Sequence, residues 1–414
     1  MRDAYERIIS FNQNRDARFL PMKYKLMASS AYRFFRGSCH LFYEDLAQNQ
    51  TWDDQTVAWV CGDLHVENFG SYKSAQNVVY FDLNDFDEAA LAHPTWEVIR
   101  FLSSVFLAGK ELNLLEDDLK RIASTLLNDY LTALQLGKAF ALEKETLDGI
   151  LKKYIKDVAD RDPIAFLNTH SLLDNQNNRT LIIDNKKFFA IDSRKMKQEL
   201  IVKFQDYLNS LNTSISESNE EFEVKDMAIR IAGTGSIGLT RYVFLVYHNI
   251  EKMYYLYDVK QAQPSSLTLS PVLKSTQPEW KSEAERIQTI QNYMQYITPA
   301  GLSHFSFQGL SYVVKALQSE QDKMDFKQCV EKPKKFTDAC HNMAKLIAYA
   351  QIRSSGRKGS ASVDELIEFA KQAQNWKSKL LDYAYNYYQQ VLQDYTSFCK
   401  AYAAHQPTNP QVKK

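Results

Sequence analysis

The sequence predicts a mixed α+β fold in two lobes, a larger one rich in helices and a smaller one built on strands. Three observations carry that expectation. Residues 95–152, and the stretch from Lys335 onward, hold Leu, Ala, Lys and Glu at helical spacing. Residues 226–262 concentrate β-branched and aromatic residues in three runs around a glycine turn. The chain has 414 residues and 45% hydrophobic content, enough to bury a sizeable core. The expected divisions are 1–225, the first part of the helical lobe; 226–330, the strand-rich lobe; and 331–414, helices that complete the first.

The elements follow in order. Residues 22–48 mix helix formers with aromatics and read as one helical run. Residues 56–61 are a short buried strand leading into Gly62, and residues 78–81 a second strand that ends in acids. Residues 95–152 contain no proline and read as helices. Residues 180–191 read as a hairpin around Asp184 and Asn185, and the polar stretch 211–225 as a linker. Strands are expected at 228–232, 241–247 and 253–260, then a helix over 282–296 and a strand over 311–317. The chain closes in helices and a polar tail with Pro407 and Pro410.

Bulk chemistry excludes some functions. Fifty basic and fifty acidic residues balance to zero net charge, which argues against a general nucleic-acid binder. No apolar stretch approaches the about 18 residues that a membrane span needs, and the N-terminus has no apolar signal core. The five cysteines are scattered without CxxC spacing, as expected of a reducing compartment without structural zinc. A cytoplasmic protein with neither nucleic-acid nor membrane partners is therefore expected.

The chemistry concentrates in Cys61-Gly-Asp-Leu-His-Val-Glu-Asn68 and the acidic residues after it. Phosphoryl transfer needs a carboxylate to orient the acceptor hydroxyl and oxygen ligands for magnesium. Asp63 stands five residues before Asn68, so the first can face an acceptor while the second turns to a metal. His65, inside the same motif, is a further candidate that braces the loop. Asp82 lies 14 residues after Asn68 at the expected strand end, and Asp85, Asp87 and Glu88 follow. Four acids so close together repel one another unless they are solvated or hold a metal. A solvated acidic loop is the plainer alternative.

The motif GDLHxxN before a strand ending in Asp resembles the catalytic segment of aminoglycoside phosphotransferases and related protein-kinase-like enzymes. More closely, CGDLHxxNFG followed by FDLNDFDEA resembles a bacterial family catalogued as domain of unknown function 2252. The likeness extends to Arg33-Phe-Phe-Arg36-Gly37, to residues 232–238 and to Asp258-Val-Lys260. It implies Asp63 as the catalytic carboxylate, with Asn68 and Asp82 or Asp85 holding magnesium. Cys61 departs from the pattern, since phosphotransferases of this type usually carry a structural His there.

The glycine block Gly233-Thr234-Gly235-Ser236-Ile-Gly238 sharpens the expectation. A dinucleotide-binding turn leads into a helix, but residues 239–246 read as a strand. A kinase-type glycine loop instead joins two antiparallel strands over the nucleotide phosphates, and the next strand brings a lysine, here Lys260. Glu283 or Glu285 in the following helix is the candidate partner for that lysine. A glycine-rich hairpin beside an exposed lysine is the competing reading. Because the catalytic motif precedes the glycine block, the resemblance implies a circularly permuted kinase-like fold. The expected activity is ATP- and magnesium-dependent phosphotransfer to a small-molecule or protein hydroxyl. AMP transfer and a non-catalytic nucleotide-binding scaffold are the alternatives.

Overall fold

The computed structural model describes residues 3–49, 52, 54–176, 178–211, 221–319, 322–324, 326–329 and 332–405. The N-terminal segment breaks into α1 (Ala4–Asn12), α2 (Leu20–Met27), α3 (Ala31–Gly37) and α4 (Cys39–Asn49), rather than running as one helix over 22–48. Serines make the breaks. The Ser30 hydroxyl accepts the Arg33 N–H and starts α3 afresh, and Ser38 leaves the helical path before α4.

Short strands come next: β1 (Ala58–Val60), β2 (Phe69–Lys73), β3 (Val79–Leu83) and β4 (Ala90–Ala92). β1 pairs with β4 and β2 with β3, both antiparallel. The strand expected to stop at Phe81 runs on through Asp82 to Leu83, which puts Asp82 inside a strand. The expected helices are α5 (Pro94–Glu111), α6 (Glu116–Leu136) and α7 (Gly149–Ala159). Pro94 opens α5 in the first turn, where no N–H is needed. The helix is buried from there to Gly109.

α8 (Pro163–His170), β5 (Ser171–Leu173), β6 (Arg179–Leu181), β7 (Phe188–Phe189) and α9 (Arg194–Leu211) follow. The hairpin expected across 180–191 does not form. β6 pairs back with β5, while Asp184 Oδ1 accepts the N–H groups of Lys186, Lys187 and Phe188 and folds the link into a tight turn. Of the expected linker, residues 212–220 lie outside the described residues.

The strand-rich part of the chain contains β8 (Phe222–Arg230), β9 (Arg241–His248), β10 (Met253–Gln261), α10 (Pro271–Thr276), α11 (Glu283–Met294), β11 (Ser303–Phe307) and β12 (Leu310–Ala316). They build an antiparallel sheet in the order β11-β12-β10-β9-β8-β7. One face is apolar and carries α9, whose Leu200, Phe204 and Leu208 pack with Phe244, Phe305 and Val314. The other face is mixed: Ala228, Val243, Leu245 and Leu256 cluster with Leu181 and Phe188, and Arg230, Arg241, Asp258, Lys260 and Lys315 line a cavity beside them. Register sets Lys260 opposite Arg241, and Asp258 opposite Lys315. β13 (Asp322–Lys323) then crosses back to pair with β2.

α12 (Pro333–Ser354), α13 (Val363–Lys371) and α14 (Lys377–Ala404) complete the helical core with α5 and α6. The C-terminal aromatics are packing residues, with Tyr387 and Tyr388 buried and the Phe42 and Tyr387 rings 4.9 Å apart. α14 lies beside α1, where the Tyr5 and Phe398 rings are 5.8 Å apart. Among the described residues no helix is long and apolar enough to cross a membrane. No disulfide joins the cysteines among the described residues.

Candidate active site

The Asp63 loop leaves β1 under tight steric control. Gly62 has φ +87°, and a Cβ there would lie 2.2 Å from the Glu88 carbonyl oxygen, so only glycine lets the loop press onto the acidic turn. The Tyr43 hydroxyl donates to the Gly62 carbonyl. The Cys61 N–H donates to Glu97 Oε1 at 2.6 Å, and Gln351 Nε2 donates to the other oxygen at 3.2 Å. Burial pushes the Glu97 carboxyl up to about 7.

Asp63 itself is held by Arg100. Nε donates to Asp63 Oδ1 at 2.9 Å, a second guanidinium N–H joins it, and the cation lies 4.1 Å over the Phe35 ring. The Arg100 side chain is fully buried, whereas Asp63 keeps 23% of its side chain exposed. Burial alone would push the guanidinium down, but Cys39 and Asp63 beside it raise it instead. One carboxylate oxygen is thus committed to Arg100, which leaves Oδ2 for the cavity.

Asn68 joins the two loops. Its Nδ2 donates to the Asp63 and Asp85 carbonyls at 3.0 and 3.1 Å, and its Oδ1 accepts the Asp85 N–H at 2.7 Å. Lys260 reaches the same acidic turn from β10, with Nζ 3.5 Å from Asp85 and in direct contact with Asp87. Burial raises the Asp87 carboxyl and Asp85 raises it further, while Lys260 opposes both. Among the described residues, no three His, Cys, Asp or Glu side chains gather as a metal cage. The oxygen donors at this point are Asp85, Asp87 and the remaining lone pair of Asn68. Two carboxylates suit a magnesium ion that shares its shell with phosphate oxygens, and the Lys260 ammonium between them shows that the turn holds positive charge.

The glycine turn, residues 231–240, links β8 to β9 and lies over Asp63. A Cβ at Gly235 would sit 3.3 Å from the Arg36 carbonyl oxygen and 4.0 Å from Asp63 Oδ2. The N-terminal segment pins the turn by its carbonyls. Lys23 Nζ donates to Thr234 and Gly235, Arg15 to Gly235 and Ile237, and the Asp16 N–H to Gly238. Burial and the nearby Arg15 push Lys23 well below its usual value. The N–H groups of Gly233, Thr234, Gly235 and Gly238 have no acceptor among the described residues.

Other expected residues take different parts. Asp82 is not at the site. It lies buried in β3, where Arg353 Nη2 bonds both its oxygens at 3.0 and 2.9 Å and the Tyr296 N–H donates at 3.0 Å. Burial raises its carboxyl against the pull of Arg353. Glu285 accepts the Lys281 N–H at 2.7 Å at the start of α11, and Glu283 pairs with Arg286, so Lys260 takes Asp85 and Asp87 instead of a helix glutamate. His65 braces its loop, with Nδ1 accepting the Glu67 N–H at 3.1 Å. Arg36 pairs with Glu67 rather than with the acidic turn. After α12, Arg357 and Lys358 lie over the Tyr293 and Trp280 rings.

Two adjoining cavities result. The larger, about 390 Å³, is walled by Asp63, His65, Asn68, Asp85, Asp87 and the glycine turn. The smaller, about 200 Å³, lies beneath the sheet and shares Asp85, Asp87, Gly233 and Ser236 with it. Reasoning from the sequence missed Arg100, Lys23 and Arg15. Arg100 alone left a signal, as the single charge in the apolar run 98–108 of a helix. No curated relative and no solved structure matches the chain. A family described as uncharacterized protein conserved in bacteria (DUF2252) matches residues 15–401, and the chain belongs to that family.

Proposed function

We propose that this chain is an ATP- and magnesium-dependent transferase of kinase-like, circularly permuted architecture that moves a phosphorus-centred group onto a hydroxyl acceptor. One observation carries the reading: Asp63, Asn68, Asp85, Asp87 and the glycine turn, from two distant parts of the sequence, wall one cavity, with Lys260 paired to its acids. The order of elements supports it. A glycine turn between antiparallel strands, a lysine on the third strand and a helix after it is the order a kinase nucleotide lobe uses. The packing of α1 against α14 supports a permuted chain, since permutation needs neighbouring ends.

In this reading Arg100 fixes the Asp63 carboxylate so that Oδ2 accepts the hydrogen of the acceptor hydroxyl and aims its oxygen at phosphorus. Asp85 and Asp87 would hold magnesium, with Asn68 joining the two loops, and Lys260 would pass from the acids to phosphate oxygens. Magnesium bound there neutralises phosphate charge. The free N–H groups of the glycine turn receive phosphate oxygens. A scaffold without chemistry would have no use for a fully buried arginine aligning a partly exposed carboxylate at a cavity wall.

Calorimetry with ATP tests the proposal. Binding is expected in magnesium and is expected to weaken sharply in Asp87→Asn and in Lys260→Met. Absence of ATP binding with and without magnesium would sink it.

A further inference from the structure

In-line displacement puts the attacking oxygen and the leaving group on opposite sides of phosphorus. On the transferase reading above, on which this inference rests, the acceptor hydroxyl approaches from Asp63 in the larger cavity. The leaving group therefore occupies the smaller cavity beneath the sheet, and the lining of that cavity states what the leaving group is.

Four cations line it: Arg230, Arg241, Lys260 and Lys315. Arg230 and Arg241 share one carboxylate, Asp258, with Arg230 Nη1 at 3.1 Å and Arg241 Nε at 2.7 Å. Burial, then the neighbouring Arg241, pushes Arg230 down to about 10. Lys315 has no ion-pair partner among the described residues, and burial pushes it down as well. Among the described residues Lys260 pairs with Asp85 and Asp87, the acids assigned to magnesium. Once those acids turn to the metal, the four cations face Asp258 and Asp322, and Asp322 is itself paired with Arg161. Among the described residues apolar contact comes from Ala232, Val313 and Leu317. A nucleobase needs an apolar slot, whereas a polyphosphate needs clustered cations.

We propose that the cavity beneath the sheet is a pyrophosphate site, and that the chain transfers the nucleotidyl group of a nucleoside triphosphate to its acceptor. The acceptor oxygen bonds to the α-phosphorus and its proton passes to Asp63 and on to solvent. The bond from the α-phosphorus to the α,β-bridging oxygen breaks, and its electron pair leaves on pyrophosphate. The nucleoside end lies in the larger cavity, where Phe11, Leu239 and Leu269 offer apolar contact and Gln261 and Gln263 offer hydrogen bonds.

The full chain, with its Lys315→Ala and Arg230→Ala variants checked for folding by thermal unfolding, is titrated with magnesium pyrophosphate and separately with AMP. It is also incubated with ATP labelled at the α- or the γ-phosphate, water and its own hydroxyls serving as acceptors. Pyrophosphate is expected to bind and to lose at least about tenfold in affinity in each variant, with AMP binding unchanged. The α-label is expected on AMP or on the protein, and the γ-label in pyrophosphate. Release of ADP, or pyrophosphate binding that is absent or indifferent to both substitutions, overturns the nucleotidyl reading and leaves ATP-dependent transfer standing. Failure to bind ATP at all overturns both. Where turnover is absent, the pyrophosphate titration decides.

Discussion

The Asp63 loop and the glycine turn face each other across one cavity, and they are anchored by different physics. The loop is held by hard contact and buried charge: Gly62 against the Glu88 backbone, Cys61 on Glu97, and Asp63 on a fully buried Arg100. The turn is held over its middle by cations of the N-terminal segment on its carbonyl oxygens, with Arg241, Gln261 and Lys187 bonding its ends. Steric fit and a desolvated ion pair tolerate little displacement, whereas lysine and arginine stems re-aim at small cost. The difference teaches that this fold makes its carboxylate rigid and leaves the glycine-turn backbone adjustable.

The strongest way to break that comparison is Gly62→Ala. With a positive φ and a Cβ overlapping backbone, it is expected to cost about 4 kcal/mol, measured by denaturant unfolding. An unchanged unfolding midpoint would show that the loop is not sterically fixed. Arg100→Met comes next, at about 3 kcal/mol, because it leaves a partly buried carboxylate without its cation. Adding Asp63→Asn to that variant is expected to restore part of the loss, and a strictly additive cycle would deny the pair.

Glu97 sharpens the comparison through pH. Its folded carboxyl titrates near 7, above the ordinary value, so between about pH 4.5 and 7 the folded state keeps a proton that the unfolded state releases. The unfolded state binds fewer protons there, and stability falls as pH rises. Wild type is expected to lose about 2 to 3 kcal/mol across that window relative to Glu97→Gln. Parallel pH profiles for the two proteins would refute a buried, proton-holding carboxyl. The smallest effects belong to the turn. Lys23→Met and Arg15→Ala are each expected to cost at most about 1 kcal/mol globally, yet to speed proteolysis within residues 231–240. Equal cleavage rates would show that the N-terminal segment does not pin the turn.

Legibility in the sequence divides along similar lines. Asp63, Asn68 and Asp85 are legible as a group because they sit on two continuous loops, which the structure brings to one cavity wall. Asp82 was misassigned because β3 continues two residues beyond its apolar run, so a residue expected at a strand end became a strand interior facing α12. Glu285 had a competing local signal in plain view. Ser282 three positions earlier starts a helix in the capping pattern, and the glutamate serves that end rather than Lys260. The 180–191 hairpin failed because each of its strands found a better partner elsewhere, one in β5 and one in β8.

By itself the sequence determined the mixed α+β class, the helices with clear periodicity, and a glycine turn between strands followed by a lysine. These depend on neighbours in the chain, where spacing fixes which side chains share a face. Only the tertiary structure decided which charges meet. Arg100 reaches Asp63 across 37 positions, Lys23 reaches the glycine turn across 211, and Arg353 reaches Asp82 across 271. Such pairings are set by packing that removes water around both partners at once, and nothing local to either residue records that.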